Sequence, residues 1–534
     1  MTRPLPDVPA HPSTIGGLLT RSARRHPSRT ALTFAGRSWS YAELDTAVGR
    51  VAAGLLGAGL RPGDRVAVFG RNSDAYLLLF LGCARAGLVH VPVNHGARGA
   101  ELRHLLTQSS PAAIFTDPEL SPEVDALPDP PGAVLRGSIL GGDGAPDVLA
   151  WAADGSAAVH EETGVDGGRL AQILYTSGTT SLPKGAMLTH RALLHEYVSS
   201  TLALDLTGDD VALHALPLYH SAQMHVFLVP SLAAGATNHL LSAPDLDEIA
   251  ARVRQERVTS LFLPPTLWVA VLQRLRSGAG GLDTLGKAYY GASIMPTPVL
   301  EELRVLLPST GFYNCFGQSE IGPLATVLRP EEHAERPASV GRSVMFVEAR
   351  VVDRNMVDVP PGTAGEVVYR SPQLCSGYWD MPEETQEAFR GGWFHSGDLA
   401  VMDEHGYLTV VDRIKDVVNT GGVLVASREV EEVLYQHADV GEVAVVGVPH
   451  RYWIEAVVAA VVPARAAAGR FDARALTDFA AGHLPGHKRP KRVVVLDALP
   501  KNAAGKILKR ELRDLLTDRL ADGTDGFGGE TRLG

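Results

Sequence analysis

The densest set of residues able to do chemistry lies in the stretch LAQILYTSGTTSLPKGAMLTH, residues 170–190. An apolar run ends at Tyr175, and Thr176, Ser177, Gly178, Thr179, Thr180, Ser181, Leu182, Pro183, Lys184 and Gly185 follow. Hydroxyls, glycines and one lysine in so short a loop suit a polyphosphate. Small residues let backbone N–H groups close on an anion, and the lysine adds a positive point charge. The order differs from a Walker loop, because Lys184 precedes Gly185 where that motif needs Gly-Lys-Ser/Thr. A flexible hydroxyl-rich linker shares this composition. The strand-like run before the loop and its Pro183-Lys184-Gly185 close favour the anion site. A second cationic candidate is Lys506, which follows Gly505 at the expected start of an amphipathic helix carrying Ile507, Leu508, Leu512, Leu515 and Leu516. A cation there opposes the helix macrodipole, so helix stability does not account for it.

Strand-like and helix-like segments alternate through most of the chain and would position these groups. Strands are expected at 65–69, 88–93, 112–115 and 258–263, with helices at 74–86 and 98–109 and a helical pattern starting at Ala186. Such alternation predicts an α/β fold of parallel sheets covered by helices. The Pro- and Gly-rich segment 128–144 reads as a surface loop. Between 362 and 407 short alternating strands, at 366–370 and 407–411, predict a small antiparallel, barrel-like subdomain. After Asp412-Arg413-Ile414-Lys415-Asp416 comes an α+β pattern: a helix at 427–437 begun by Ser427 as N-cap, strands at 443–448 and 456–462, and a helix at 472–483. The expected division is a large lobe over 1–412, a small mobile domain over 413–521, and a Gly-rich tail over 522–534.

Of 534 residues, 45% are hydrophobic and 20% charged, enough for a large core and too apolar for a mainly disordered chain. The net charge of −11 argues against a uniformly basic nucleic-acid surface, so no nucleic-acid partner is expected. Cys83, Cys315 and Cys375 are too few and too scattered for a disulfide framework or a zinc knuckle, which fits a reducing cytoplasm. The first residues hold no apolar signal segment. The most apolar stretch, 75–93, is broken by Arg85 and His90 and falls short of the ~20 apolar residues a spanning helix needs.

The loop resembles the pattern [ST]SGTTGxPKG of the adenylate-forming, AMP-binding enzymes, with Ser181 in place of the usual Gly. That superfamily includes acyl- and aryl-CoA ligases, peptide-synthetase adenylation domains and firefly-type luciferases. The resemblance extends over nearly the whole chain and is nearest to free-standing fatty acyl-CoA ligases. It implies a large N-terminal lobe, a mobile C-terminal lid, and use of ATP, Mg2+ and coenzyme A. In the phosphate loop it implicates Thr176, Ser177, Gly178, Thr179, Thr180 and Lys184. Tyr313-Asn314-Cys315-Phe316-Gly317-Gln318-Ser319-Glu320 resembles the signature that stacks adenine on an aromatic ring and holds Mg2+ through its Glu. A ring beside a glycine lets a flat base lie on the backbone, and a carboxylate is a hard oxygen ligand.

Tyr290-Gly291-Ala292-Ser293 resembles the strand end lining the adenine and acyl pockets. Asp398, in Trp393-Phe394-His395-Ser396-Gly397-Asp398, takes the place of the ribose ligand, where two acceptor oxygens suit a vicinal diol. Arg413 would contact ribose or phosphate, and Lys415 would be the pivot. Gly421 and Gly422 resemble the turn that closes over the thiol tunnel. Lys506 would bridge the substrate carboxylate and the α-phosphate, with Glu320 and Thr176 beside it in catalysis. The segment Leu216–Pro230, with His220, Gln223, Met224 and His225, resembles the acyl side. It carries no Asp to hold an α-ammonium, so an apolar acyl or aryl acid is implied rather than an amino acid. The implied reaction makes an acyl-adenylate and then a thioester with coenzyme A. Transfer to a carrier-protein thiol or another nucleophile, including the activation of unusual acids such as nitrite, is the alternative.

Overall fold

The computed structural model describes residues 13–521, apart from 129–131, 133–134, 142–145, 163, 177–182, 279, 294, 465–466, 468 and 502–506. Four sheets organise the described residues. The largest has nine strands, and its six central members are parallel. They run in the order Gly311–Gly317, Lys287–Gly291, Ser260–Phe262, Val211–His214, Thr237–Leu240 and Thr30–Phe34. Antiparallel strands close it at both edges. A second sheet of six strands is parallel through Arg65–Phe69, Val89–Val93, Ala113–Thr116 and Leu135–Ser138. Its far edge is the pair Leu170–Thr176 and Lys184–Thr189.

The helix Asp74–Ala86 is buried at every position, and its core includes Val66 and Val68 of one large sheet and Leu32 of the other. A helix apolar on all sides belongs inside such a sandwich. Its ends are set locally: Ser73 Oγ accepts from the Tyr76 amide at 3.0 Å, and Gly87 ends it at φ 70°. Its two charges are matched. Asp74 accepts twice from Arg37 at 2.7 Å and once from Trp39 at 2.9 Å, and Arg85 pairs with Asp45. Paired, hydrogen-bonded charges are the form in which burial is tolerated.

The third sheet is four-stranded and antiparallel, ordered Glu348–Val352, Ala364–Arg370, Phe394–Met402 and Leu408–Arg413. The fourth, with five strands, begins at Val418–Thr420 and centres on the long hairpin Val440–His450 and Ile454–Pro463. Separate apolar clusters fill its two faces.

Three local expectations need correction. No helix follows the phosphate loop directly: Lys184–Thr189 is a strand paired with Leu170–Thr176, and the helix His190–Ala203 starts later, where Thr189 Oγ1 accepts from the Ala192 amide. The loop is thus the connection of a hairpin. The segment 128–144 is not wholly loop, because Leu135–Ser138 adds a parallel strand. Ser427 is the first helical residue rather than the cap of Ser427–Leu434. Its amide donates instead to Asp412, 15 residues away in sequence, at 2.6 Å.

Candidate active site

A cavity of about 1640 Å3 opens where the ends of the large sheets meet the third sheet and the C-terminal domain. Open α/β sheets bind ligands at this place, at the carboxyl ends of their strands. Thr176 and Lys184 enter as the two ends of the phosphate-loop hairpin, directly opposite each other in register. Ser177, Gly178, Thr179 and Thr180 lie outside the described residues, as does Lys506.

Asn314, Phe316, Gly317, Gln318, Ser319 and Glu320 all line the cavity, on the strand Gly311–Gly317 and the short 3-10 turn after it. Gly317 cannot be replaced without rearrangement: at φ 157°, an added Cβ would lie 2.0 Å from the Pro323 carbonyl oxygen. Glu320 is the focus. Its Oε1 accepts from the Thr176 hydroxyl at 3.3 Å and from the Tyr378 hydroxyl at 3.1 Å. Ser319 Oγ bonds Ser221 Oγ at 2.9 Å, tying this turn to the segment Leu216–Pro230.

Asp398 and Arg413 face each other across two strands, with Arg413 Nε 2.8 Å from Asp398 Oδ1. The Asp398 carboxylate raises the Arg413 pKa further. Asp398 is placed by its own amide, which donates to Ser396 Oγ at 3.0 Å. Lys415 is exposed on the turn after Arg413 and also lines the cavity.

A second wall is apolar. Phe227 and Phe262 stack with centroids 4.3 Å apart, beside Val226, Tyr290 and Met295. One face of the helix Pro265–Arg276 contributes Thr266, Val269, Ala270 and Gln273. Tyr219 and His220 also line the cavity. Tyr290 is fixed by its hydroxyl, bonded to His333 Nε2 at 3.0 Å.

Some expected residues are not at the wall. Ala222–Leu228 is a π-helix, whose wider turn points Ala222, Val226 and Phe227 to the cavity and Gln223, Met224 and His225 to the core. Gln223 donates to His214 Nδ1 at 2.8 Å and accepts from the Leu216 amide. His225 bonds Gln172 and Tyr197, and burial pushes its pKa down to about 3. Gly291 packs against the neighbouring strand: an added Cβ would lie 2.2 Å from the Cys315 carbonyl oxygen, so Ala292 and Ser293 form the wall instead. Gly421 and Gly422 sit on an exposed turn of the C-terminal domain outside the cavity. That domain presents another face, with Lys501, Ile507, Leu508 and Lys509.

The face is held by a cluster around Asp412. The Asp412 carboxylate accepts from the Ser427 amide and hydroxyl at 2.6 and 2.7 Å, and Lys509 Nζ donates to Ser427 Oγ at 2.6 Å. Lys509 also pairs with Glu431 at 2.8 Å. Burial alone would lower the Lys509 pKa, but Glu431 and Asp412 raise it overall.

Residues 19–379 match the family model described as AMP-binding enzyme, and 429–506 match that of the AMP-binding enzyme C-terminal domain. The chain belongs to the AMP-binding enzyme family. It is 38% identical over 502 residues to a feruloyl-CoA synthase of Amycolatopsis, covering 93% of this chain and 98% of the relative. It is 33% identical to an indoleacetate–CoA ligase of Aromatoleum aromaticum, covering 93% and 97%. Among solved structures, ATP-bound MatB of Rhodopseudomonas palustris superposes with a TM-score of 0.86 at 32% identity, covering 95% of this chain and 99% of that one. For this AMP-binding enzyme no described helix is long and apolar enough to cross a membrane, and Cys83, Cys315 and Cys375 are buried free thiols.

Proposed function

We propose that the chain is an AMP-forming acid–thiol ligase of the cytoplasm that activates an apolar, aromatic carboxylic acid. The observation carrying this reading is the single cavity in which Glu320, Thr176, Lys184, Asp398 and Arg413 face an aromatic wall of Phe227, Phe262 and Tyr290. The acid's carboxylate attacks the α-phosphorus of ATP and pyrophosphate leaves. A thiol, coenzyme A by default, then attacks the acyl-adenylate carbonyl and AMP leaves.

Each residue has a task in this reading. Phe316 and Gly317 hold adenine, Asp398 the ribose hydroxyls, and Arg413 the ribose or α-phosphate. Lys184 and the hydroxyls of 176–180 take the β- and γ-phosphates. His220 stands beside the reacting carboxylate. Lys506 meets the charge that develops in the first step, a role worth ~10²–10³ in rate for one preorganised donor. The stacked Phe227 and Phe262 rings, with no acidic side chain in Leu216–Pro230, favour an uncharged aromatic body over an amino acid. The names of the feruloyl-CoA and indoleacetate relatives point the same way.

The donor set fits Mg2+. Glu320 offers a carboxylate whose Oε1 is fixed by two hydroxyls, one of them from Thr176 at the base of the phosphate loop. Hard oxygens beside a phosphate site are what this ion takes, and when bound it neutralises charge on the phosphates. The 1–412 lobe would hold both substrates. The 413–521 domain would turn about Lys415, exchanging the Lys506 face for Gly421 and Gly422 between the two steps.

The test is pyrophosphate release with a panel of aryl and fatty acids, with coenzyme A or a phosphopantetheine-bearing carrier protein as acceptor. Aryl acids with coenzyme A should give the highest kcat/KM. Release with no acid in the panel would refute the reading, and transfer only to the carrier would replace the thiol.

A further inference from the structure

Glu320 and Lys184 carry opposite charges in one cavity, yet they do not form a direct ion pair; Tyr378 stands between them. The Lys184 ammonium lies over the Tyr378 ring, 5.2 Å from its centroid. The Tyr378 hydroxyl donates to Glu320 Oε1 at 3.1 Å. The side chain is 8% exposed and lines the cavity. A tyrosine hydroxyl is both donor and acceptor, and against a carboxylate oxygen it is the donor.

The backbone around Tyr378 is equally placed. The Cys375 amide donates to the Glu320 carbonyl at 2.8 Å. The Ser376 amide donates to the Met187 carbonyl, the Met187 amide to the Gly377 carbonyl, and the Trp379 amide to the Gly185 carbonyl, at 2.8–2.9 Å. Residues 375–379 therefore lie along the strand Lys184–Thr189, joined to it by a β-bridge between Tyr378 and Ala186, while also gripping the turn that carries Glu320. The Tyr378 amide is held in turn by Thr385 Oγ1 at 2.9 Å.

We infer that Tyr378 is a positioning residue that fixes the metal-binding carboxylate and the phosphate-loop lysine relative to each other. This rests on the ATP- and Mg2+-binding reading above. Two hydroxyls on one carboxylate oxygen, from Thr176 and Tyr378, orient the group so that its other oxygen is directed by geometry rather than by chance. The ring gives Lys184 a resting place that leaves its charge available to phosphate. A direct Lys184–Glu320 pair would satisfy both charges and disarm both. Outer partners of a metal ligand typically matter about 10- to 100-fold in metal affinity. A ring under an ammonium is worth less, about 2- to 30-fold.

The experiment compares the full-length protein with Tyr378→Phe and Tyr378→Leu. Mn2+ binding in the presence of α,β-methylene-ATP is followed by electron paramagnetic resonance, and metal-free binding of the same nucleotide by calorimetry. Tyr378→Phe keeps the ring and should weaken Mn2+ about tenfold with metal-free nucleotide affinity unchanged. Tyr378→Leu removes the ring as well and should also weaken metal-free nucleotide binding about fivefold. Mn2+ affinity in Tyr378→Phe within twofold of wild type would overturn the inference, as would equal losses of metal and nucleotide in that variant. If the wild-type protein itself binds neither Mn2+ nor nucleotide, the reading of the site as an ATP site fails, and this inference with it.

Discussion

His90 gives the most exacting test of the buried framework. It lies fully buried on the strand Val89–Val93, and burial pushes its pKa from 6.5 down to about 3. Its Nδ1 takes a hydrogen bond from Gln172 Nε2 at 3.1 Å, and its Nε2 has no partner. The folded protein therefore holds a neutral imidazole, whereas the unfolded chain takes up a proton below pH 6.5. Stability from this group is complete above pH 6.5 and falls as pH drops from 6.5 toward about 3. The slope is one proton, ~1.4 kcal/mol per pH unit, or about 2 kcal/mol lost by pH 5. Asn at this position can still accept from Gln172 but cannot titrate. It gives up edge contacts with Tyr76 and Phe80, whose rings lie 5.7 and 5.2 Å from the imidazole. That loss should cost about 1 kcal/mol. His90→Asn is therefore expected to be less stable at pH 8, to cross the wild type near pH ~6, and to be the more stable protein by about 1 kcal/mol at pH 5. Urea unfolding followed by tryptophan fluorescence across this pH range measures both curves. Parallel pH dependences would refute the argument, because they would mean that His90 is protonated in the folded state or that its titration is not coupled to unfolding.

Asp398→Asn should weaken ATP binding about 10- to 100-fold by calorimetry, the worth of a charged hydrogen bond, with little change in melting because Arg413 is partly solvated. Lys506→Ala should lower adenylation ~10²–10³-fold while thioester formation from synthetic acyl-adenylate suffers far less, a difference read by running the two half-reactions separately. Gly291→Ala should not give soluble enzyme, since its Cβ would lie 2.2 Å from the Cys315 carbonyl oxygen; a normal melting curve would contradict the strand packing. Ala270→Trp should raise KM for aryl acids at least tenfold with ATP binding unchanged, if the Pro265–Arg276 helix lines the acyl pocket in solution.

Where local chemistry sets an element, the sequence was enough to place it. The helix Asp74–Ala86 matches expectation at both ends because Ser73 and Gly87 mark them. The strand Arg65–Phe69 and the approach strand Leu170–Thr176 are likewise short apolar runs bounded by turn residues. Lys184–Thr189 reads locally as helix because Ala, Met and Leu favour helices. Its strand form comes from partners on both sides, 170–176 and 375–379, which no local window contains. Gln223 and Met224 face the core for a different reason: the π-helix turns at a period that the motif itself does not reveal. Tyr378 carried no signal at all. It lies 58 residues from Glu320 in a segment without a chemical signature, and only the folded chain brings its hydroxyl to that carboxylate. Conversely, Glu320, Asp398 and Arg413 were legible as motif residues, but that Asp398 and Arg413 hold each other follows from strand register.

The cluster of Asp412, Ser427, Glu431 and Lys509 has a consequence for recombination between relatives. Asp412 precedes the proposed pivot, whereas the other three belong to the domain that would turn about it. A C-terminal domain exchanged at the pivot keeps its resting orientation only if the incoming helix start and lysine meet an aspartate at 412. Without that match, Glu431 and Lys509 still satisfy each other, but the helix start loses its acceptor in the host lobe. Such a hybrid would fold in both parts and yet park its lid elsewhere. Junctions placed upstream of Asp412 carry all four residues together and avoid the fault, so the compatible cut lies a few residues before the place where the chain bends.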